Sequence, residues 1–132
     1  MKEELVTFET AKLLKALGFD WSCRTMYNYK GEKSGTKMGM KGNPNNYIDY
    51  YSAPTQSLAQ KWLIDVKGFV VNIDIAVLDE YFYTVRDLNS YTKNNVIKPS
   101  SFSIEGFEET YEQALESGLL ASLKLIKNGK RA

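Results

Sequence analysis

Apolar residues recur at helical spacing in three segments of the chain, a pattern that predicts three helices, each with one buried face. The first helix is expected at about 8–17, because Thr7 can cap its start and Gly18 can adopt the left-handed conformation that ends a helix. The second helix is expected to begin at the Pro-Thr pair 54–55 and to end at Gly68. Its predicted apolar stripe consists of Leu58, Ala59, Trp62, Leu63 and Val66.

The third helix is expected to begin at Thr110, because Gln113 stands three residues later and completes a capping box. Gly118 lies inside this helix, where glycine costs about 1 kcal/mol relative to alanine. We therefore expect the helix to approach the sheet closely at Gly118. Residues 128–132 are expected to form a flexible tail.

Alternation of apolar and polar residues predicts four strands between the helices. The clearest is FVVNIDIAV at 69–77, which 81–88 follows after a short turn, and the other pair is 25–29 with 47–51. Residues 89–103 are polar and are expected to form a loop. Strands joined by short links are antiparallel, so the order α-β-β-α-β-β-α predicts an α+β fold, with three helices and one antiparallel sheet of about four strands.

Size and composition fit one globular domain that spans residues 1–132, because the chain has 132 residues and 43% are apolar. A formal net charge of +1 argues against duplex nucleic acid as a partner, since its binders carry a strong basic excess. The single cysteine, Cys23, cannot form a disulfide within the chain, which favours the cytoplasm. The sequence has neither a signal-peptide pattern nor the ~18-residue apolar run of a membrane span, so no membrane association is expected.

Few residues suit catalysis. Histidine is absent, which removes histidine-based triads and zinc sites, and Cys23 alone cannot form a thiolate zinc site. As a nucleophile Cys23 would need a base and a lowered pKa, so a half-buried packing role is the favoured interpretation. Carboxylates such as Asp49 and Asp74 leave a Mg²⁺-dependent enzyme open, but no phosphate-binding glycine motif occurs. We predict a non-enzymatic protein without metal or cofactor.

The segment 30–46, KGEKSGTKMGMKGNPNN, is the strongest candidate for function, and we expect it to form a long basic loop. Lysines and backbone N–H groups can neutralise phosphates, and flanking tyrosines can stack on bases. The predicted ligand-binding residues are Arg24, Tyr27, Tyr29, Lys30, Lys33, Lys37, Lys41, Asn45, Asn46 and Tyr47. The alternative is a solvated hairpin tip whose lysines keep an exposed strand edge soluble.

Acidic residues gather at the start of the third helix, where they stabilise the helix dipole. A second interpretation is an acidic face that meets a basic partner, or the basic loop of a second copy of the chain. The predicted partner face consists of Glu108, Glu109, Glu112 and Glu116.

Three phrases of the sequence, TFETAKLLKALGFDW, YSAPTQSLAQKWLIDVKG and YEQALESGLLASLKLIK, carry a family resemblance. They resemble short uncharacterised proteins encoded by phages, prophages and mobile elements of gut Bacteroidetes. The resemblance covers roughly half the chain and leaves out the 30–46 loop. It implies a phage-related accessory protein in the host cytoplasm and implies nothing about activity.

These features together predict an accessory protein that binds and does not catalyse. It would sequester a small anionic signal of the nucleotide type or block a host defence component, with Tyr27, Tyr29 and Tyr47 stacking on a base and Asn45 or Asn46 reading its edge. A homo-oligomer is expected, because two copies enclose a small ligand more fully than one shallow loop. The alternative is a protein–protein adaptor or inhibitor that binds a host protein through the acidic face or the aromatic hairpin. A Mg²⁺-dependent enzyme and a virion component are further alternatives.

Overall fold

A computed structural model describes residues 4–35, 44–77, 80–88, 96–99 and 108–128 of the chain. The helices and strands are α1 (Phe8–Ala16), β1 (Thr25–Asn28), β2 (Lys33–Gly35), β3 (Tyr50–Ser52), α2 (Gln56–Trp62), β4 (Phe69–Val77), β5 (Glu80–Asp87), β6 (Val96–Pro99) and α3 (Tyr111–Lys127). A 3₁₀ turn at Pro44–Asn46 precedes β3, and a π-helical turn at Leu63–Lys67 extends α2. The expectations for Lys37, Lys41 and residues 129–132 lie outside the described residues.

The fold is α+β with three helices and antiparallel strand pairs, as the sequence predicts. The expected single sheet of about four strands is corrected, because the described strands form two three-stranded sheets, β2-β1-β3 and β4-β5-β6. The two additional strands, β2 and β6, lie inside segments that were expected to be loops. Each is an edge strand of three or four residues that pairs with one neighbour, and so short an element leaves no alternation to detect in the sequence.

The predicted pairing of the two strands around the basic segment is confirmed, because β1 pairs with β3 in antiparallel register. The second of these strands is shorter than expected: it begins at Tyr50, and residues 47–49 form a turn. Where it is described, at residues 30–35 and 44–46, the 30–46 segment therefore contains a strand and a 3₁₀ turn and is not loop throughout. A tight hairpin returns through β2 to the other side of β1, and a 3₁₀ turn leads into β3.

Local capping signals predicted the ends of the helices well. In α3 the Gln113 N–H donates to Thr110 Oγ1 at 3.1 Å, and Gln113 Oε1 accepts from the Glu109 N–H at 3.2 Å, one residue before the cap. At the end of α1, Gly18 has a φ of 93°, and the buried Phe19 folds back on the last helical turn with a backbone hydrogen bond of 2.9 Å. These capping interactions join residues only a few positions apart, so the local sequence is enough to predict them.

The π-helical turn corrects one part of the predicted stripe on the second helix. The helix is capped by Thr55 and ends at Gly68, whose φ is 71°, as expected. Val66 was expected on the apolar face, but 51% of it is exposed. A π turn places more residues in one turn than an α-helix does, which shifts the residues after Leu63 out of the helical phase.

The core lies where α3 packs against α1 and α2 on one side and against β4 and β5 on the other. Its buried side chains are Val6, Ala11, Leu14, Phe19, Ala59, Trp62, Leu63, Phe69, Val71, Val85, Leu115, Leu119 and Leu123. The predicted close approach at Gly118 is confirmed: a Cβ placed there would lie 2.5 Å from Val71 Cγ1 and 3.1 Å from Tyr83 Cβ. Among the described residues, no helix has the length and apolar character needed to cross a bilayer.

Candidate functional site

The hairpin formed by β1 and β2 has a turn that is fixed from two sides. Asn28 Oδ1 accepts from the backbone N–H groups of Lys30 at 2.9 Å and Glu32 at 3.0 Å, and its amide donates to the Glu32 carboxylate at 2.8 Å. Gly31 has a φ of 82° and lies against the ring of Phe8, so close that a Cβ there would be 2.9 Å from Phe8 Cδ2. The start of the basic segment therefore has one defined conformation.

Two of the predicted ligand-binding residues contact each other at this turn, and a third follows it in the chain. Tyr29 is 63% exposed, and the Lys30 ammonium lies 5.7 Å from the centre of its ring. Lys33 follows at the start of β2 and is also exposed. Arg24 is exposed as well, but it precedes β1 and is separated from the turn by that strand, about 13 Å at 3.3 Å per residue.

Tyr27 is built into the framework beneath the hairpin. Its hydroxyl donates to the backbone carbonyl of Val6 at 2.7 Å, and its ring lies 5.5 Å from that of Phe8. Burial, with a smaller contribution from the nearby Glu116 carboxylate, raises the pKa of the Tyr27 phenol. Tyr27 therefore links β1 to α1 and is not an open platform for stacking.

Asn45 occupies a similar supporting position. Its amide nitrogen donates to the backbone carbonyl of Phe19 at 2.9 Å, and its amide oxygen accepts from the Ser52 N–H at 2.8 Å. Both ends of this amide thus tie the 3₁₀ turn to the end of α1 and to β3. Asn46 is the last residue of the same turn, and the structure describes its backbone alone.

Tyr47 takes part in a contact that the sequence did not indicate. The Lys15 ammonium donates to three backbone carbonyls, including those of Tyr47 at 2.6 Å and Tyr50 at 2.9 Å, and lies 4.7 Å from the centre of the Tyr51 ring. Desolvation lowers the pKa of Lys15, and Asp49 opposes that effect. Lys15 therefore holds the turn before β3 against α1, a role that depends on partners more than 30 positions away.

The predicted acidic partner face is corrected at Glu116, whose half-buried carboxylate is engaged in hydrogen bonds within the molecule. Glu116 Oε2 accepts from Thr7 N at 3.1 Å, from Thr7 Oγ1 at 2.8 Å and from Thr10 Oγ1, and Oε1 accepts from Gln56 Nε2 at 3.1 Å. One carboxylate on α3 thus binds the start of α1 and the start of α2 together.

Of the other three glutamates, one forms hydrogen bonds within the molecule and two are exposed. Glu108 forms a backbone bridge with Tyr81, with hydrogen bonds of 2.8 and 2.9 Å, and its carboxylate accepts from Ser117 Oγ at 3.3 Å. Glu109 and Glu112 remain exposed. The acidic face is therefore reduced to two exposed carboxylates.

The single thiol has the environment of a packing residue. Burial is the main influence on Cys23 and raises the pKa of its thiol, whereas a nucleophile needs a lowered one. Its Sγ lies 3.6 Å from the backbone carbonyl of Thr25. Within the described ranges, no three Cys, Asp or Glu side chains are grouped to hold a metal ion.

Two clefts flank Lys124 on α3, and the sequence indicated neither. The larger, of about 390 Å³, is lined by Tyr83, Ser117, Leu120, Ala121, Lys124, Leu125 and Asn128. The smaller, of about 280 Å³, is lined by Glu9, Lys12, Leu13, Lys124 and Lys127. Lysines near the end of α3 suit the helix dipole, and nothing in the local sequence reveals that α1 packs beside them.

No protein family, curated protein or solved structure matches this chain. The resemblance to phage-encoded proteins stays a prediction.

Proposed function

We propose that the chain is a non-enzymatic binding protein that holds a small anionic ligand of the nucleotide type against its β1–β2 hairpin. The observation that carries this proposal is the group at the turn, where the exposed Tyr29 ring has the Lys30 ammonium 5.7 Å from its centre and Lys33 begins the returning strand. An exposed aromatic face offers stacking to a base, and neighbouring ammonium groups neutralise a phosphate.

The fixed turn supports this proposal because an ordered site loses less conformational entropy when it binds. The three hydrogen bonds of the Asn28 side chain and the contact between Gly31 and Phe8 hold the backbone in place before any ligand arrives. Tyr27 and Asn45, which were expected in the site, contribute by fixing the strands around it. The proposed set of ligand-contacting residues is therefore smaller than the set expected from the sequence, and its backbone is held in place.

The biological setting that we propose is a phage-related accessory protein in the host cytoplasm, which sequesters an anionic signal or blocks a host defence component. The resemblance of the three helix phrases supports this setting. We also propose that two copies enclose the ligand. Native mass spectrometry of protein purified from its host tests the sequestered ligand and the two-copy assembly, because it reports assembly and retained ligand together. A monomer without ligand would contradict them.

The adaptor alternative keeps only part of its expected acidic face, and its other expected surface is the aromatic hairpin itself. Of the four predicted glutamates, Glu116 and Glu108 are engaged within the molecule, so only Glu109 and Glu112 remain to form an acidic face. The hairpin therefore carries the proposal.

Isothermal titration of the intact chain with a panel of nucleotides tests the proposal. Replacing Tyr29 by Ala should weaken binding about tenfold, because one base stacked on an aromatic ring contributes about 1–3 kcal/mol. Lys30→Gln and Lys33→Gln should each weaken binding and reduce its dependence on salt. Lys61→Gln is the matched control, since Lys61 is exposed on α2 and pairs only with its helical neighbour Asp65 among the described ion pairs. Flat titrations across the whole panel would remove the proposal.

A further inference from the structure

The smaller cleft beside Lys124 has the charge of a site for a doubly charged anion. Lys12 comes from α1, and Lys124 and Lys127 come from α3, while Glu9 is the one acid among the residues that line it. Three ammonium groups and one carboxylate give a formal net charge of +2. That value matches a phosphate monoester, which carries close to two negative charges at neutral pH.

Among the described ion pairs, only Lys124 of the three lysines has a partner, and the Lys12 ammonium lies 4.7 Å from the centre of the Phe8 ring. The Lys124 ammonium lies 3.7 Å from Glu9 Oε1, and both side chains are more than half exposed. An exposed ion pair of this kind contributes at most about 1 kcal/mol, so a phosphate can displace the Glu9 carboxylate. Glu9 therefore acts as a competitor for the ligand.

The larger cleft adjoins the smaller one, because Lys124 lines both. Its walls are largely apolar, with Leu120 and Leu125 on α3 and the ring of Tyr83 on β5. Its volume of about 390 Å³ falls within the range of small-molecule sites. A compact apolar or aromatic group fits this environment.

We propose that the two clefts form one bipartite site for a phosphate monoester with a compact apolar body. The phosphate lies among Lys12, Lys124 and Lys127, and the body lies against Tyr83 and Leu125. This site goes beyond the proposed function, because it shares no residue with the β1–β2 hairpin, and either site can fail without the other.

Binding of simple probes tests the bipartite arrangement. Phenyl phosphate and adenosine monophosphate are titrated against inorganic phosphate and phenol. At least one of the two monoesters should bind more tightly than either fragment, because its second contact is made at high effective concentration. If phenyl phosphate alone binds tightly, the body is a plain apolar ring, and if adenosine monophosphate alone does, the body is a base. Equal affinity for inorganic phosphate and both monoesters, or no binding at all, overturns the proposal.

Two substitutions with opposite expected effects on affinity test where the monoester binds. Lys124→Gln should weaken monoester binding about tenfold, through loss of a charge-assisted contact. Glu9→Gln should strengthen it about threefold, because it removes the one negative charge that faces the phosphate. Lys61→Gln and Tyr29→Ala should leave it unchanged, and circular dichroism confirms that each variant is folded. Binding that Tyr29→Ala abolishes and Lys124→Gln spares would support the hairpin and overturn this inference.

Discussion

The carboxylate of Glu116 shows how much one residue contributes to this fold. It accepts hydrogen bonds from Thr7 and Thr10 at the start of α1 and from Gln56 at the start of α2. In the sequence Glu116 was indistinguishable from Glu112, four positions earlier on the same helix. Only the packing of α3 against the other two helices separates their roles.

Replacement of Glu116 by Ala should lower the free energy of unfolding by about 2 kcal/mol, because three polar side chains and one backbone N–H each lose an acceptor. Glu112→Ala is the matched control, since its side chain is exposed on the same helix, and its effect should stay within about 0.5 kcal/mol. Urea denaturation of both variants measures the difference. Equal losses would show that Glu116 is an ordinary surface residue.

At the scale of elements, helix ends were predictable and short edge strands were not. Thr110 and Gly18 cap their helices through contacts with residues a few positions away, so all the residues that form each cap are neighbours in the sequence. β2 exists because its residues pair with β1, which no local pattern reveals. The same reason explains the candidate site: the exposed Tyr29 and Lys30 were predicted, whereas the internal partners of Tyr27 and Asn45 depend on residues far along the chain.

The contact between α3 and the sheet gives a prediction at this scale. Gly118→Ala should destabilise the protein by about 1–3 kcal/mol, although alanine favours the helix, because the new methyl group would overlap Val71 and Tyr83. Adding Val71→Ala makes room for that methyl group. The double variant should therefore be more stable than the two single losses would sum to. A stabilising Gly118→Ala would contradict the close approach.

At the scale of the molecule, the partly buried thiol of Cys23 and the phenols of Tyr27 and Tyr83 make the free energy of unfolding depend on pH in the alkaline range. Burial raises the pKa of Cys23 above its ordinary 9.0, and the pKa values of Tyr27 and Tyr83 above 10.0. The folded chain therefore keeps these protons to higher pH than the unfolded chain. The stability from these groups is complete below pH 9 and is lost as pH rises through their folded-state pKa values. Among the described residues, Lys15 has the opposite effect because its pKa is lowered, so three groups with raised pKa values act against one.

Urea midpoints should accordingly fall over the interval above pH 9, where the thiol and then the two phenols ionise in the unfolded chain but keep their protons in the folded chain. A Tyr27→Phe variant, which has one titrating phenol fewer, should lose less stability over the same interval than the parent chain does. A midpoint that stays constant or rises with pH would show that these groups are not protonated preferentially in the folded chain.

The location of a bound nucleotide is the most direct test of the account. Two-dimensional ¹H–¹⁵N spectra, recorded while the most tightly bound nucleotide is added, report which backbone amides respond. The proposed function predicts saturable shifts centred on residues 28–33, with Tyr29 and Lys30 among the largest. Spectra in which those amides never move, while the nucleotide is bound elsewhere or not at all, would contradict it.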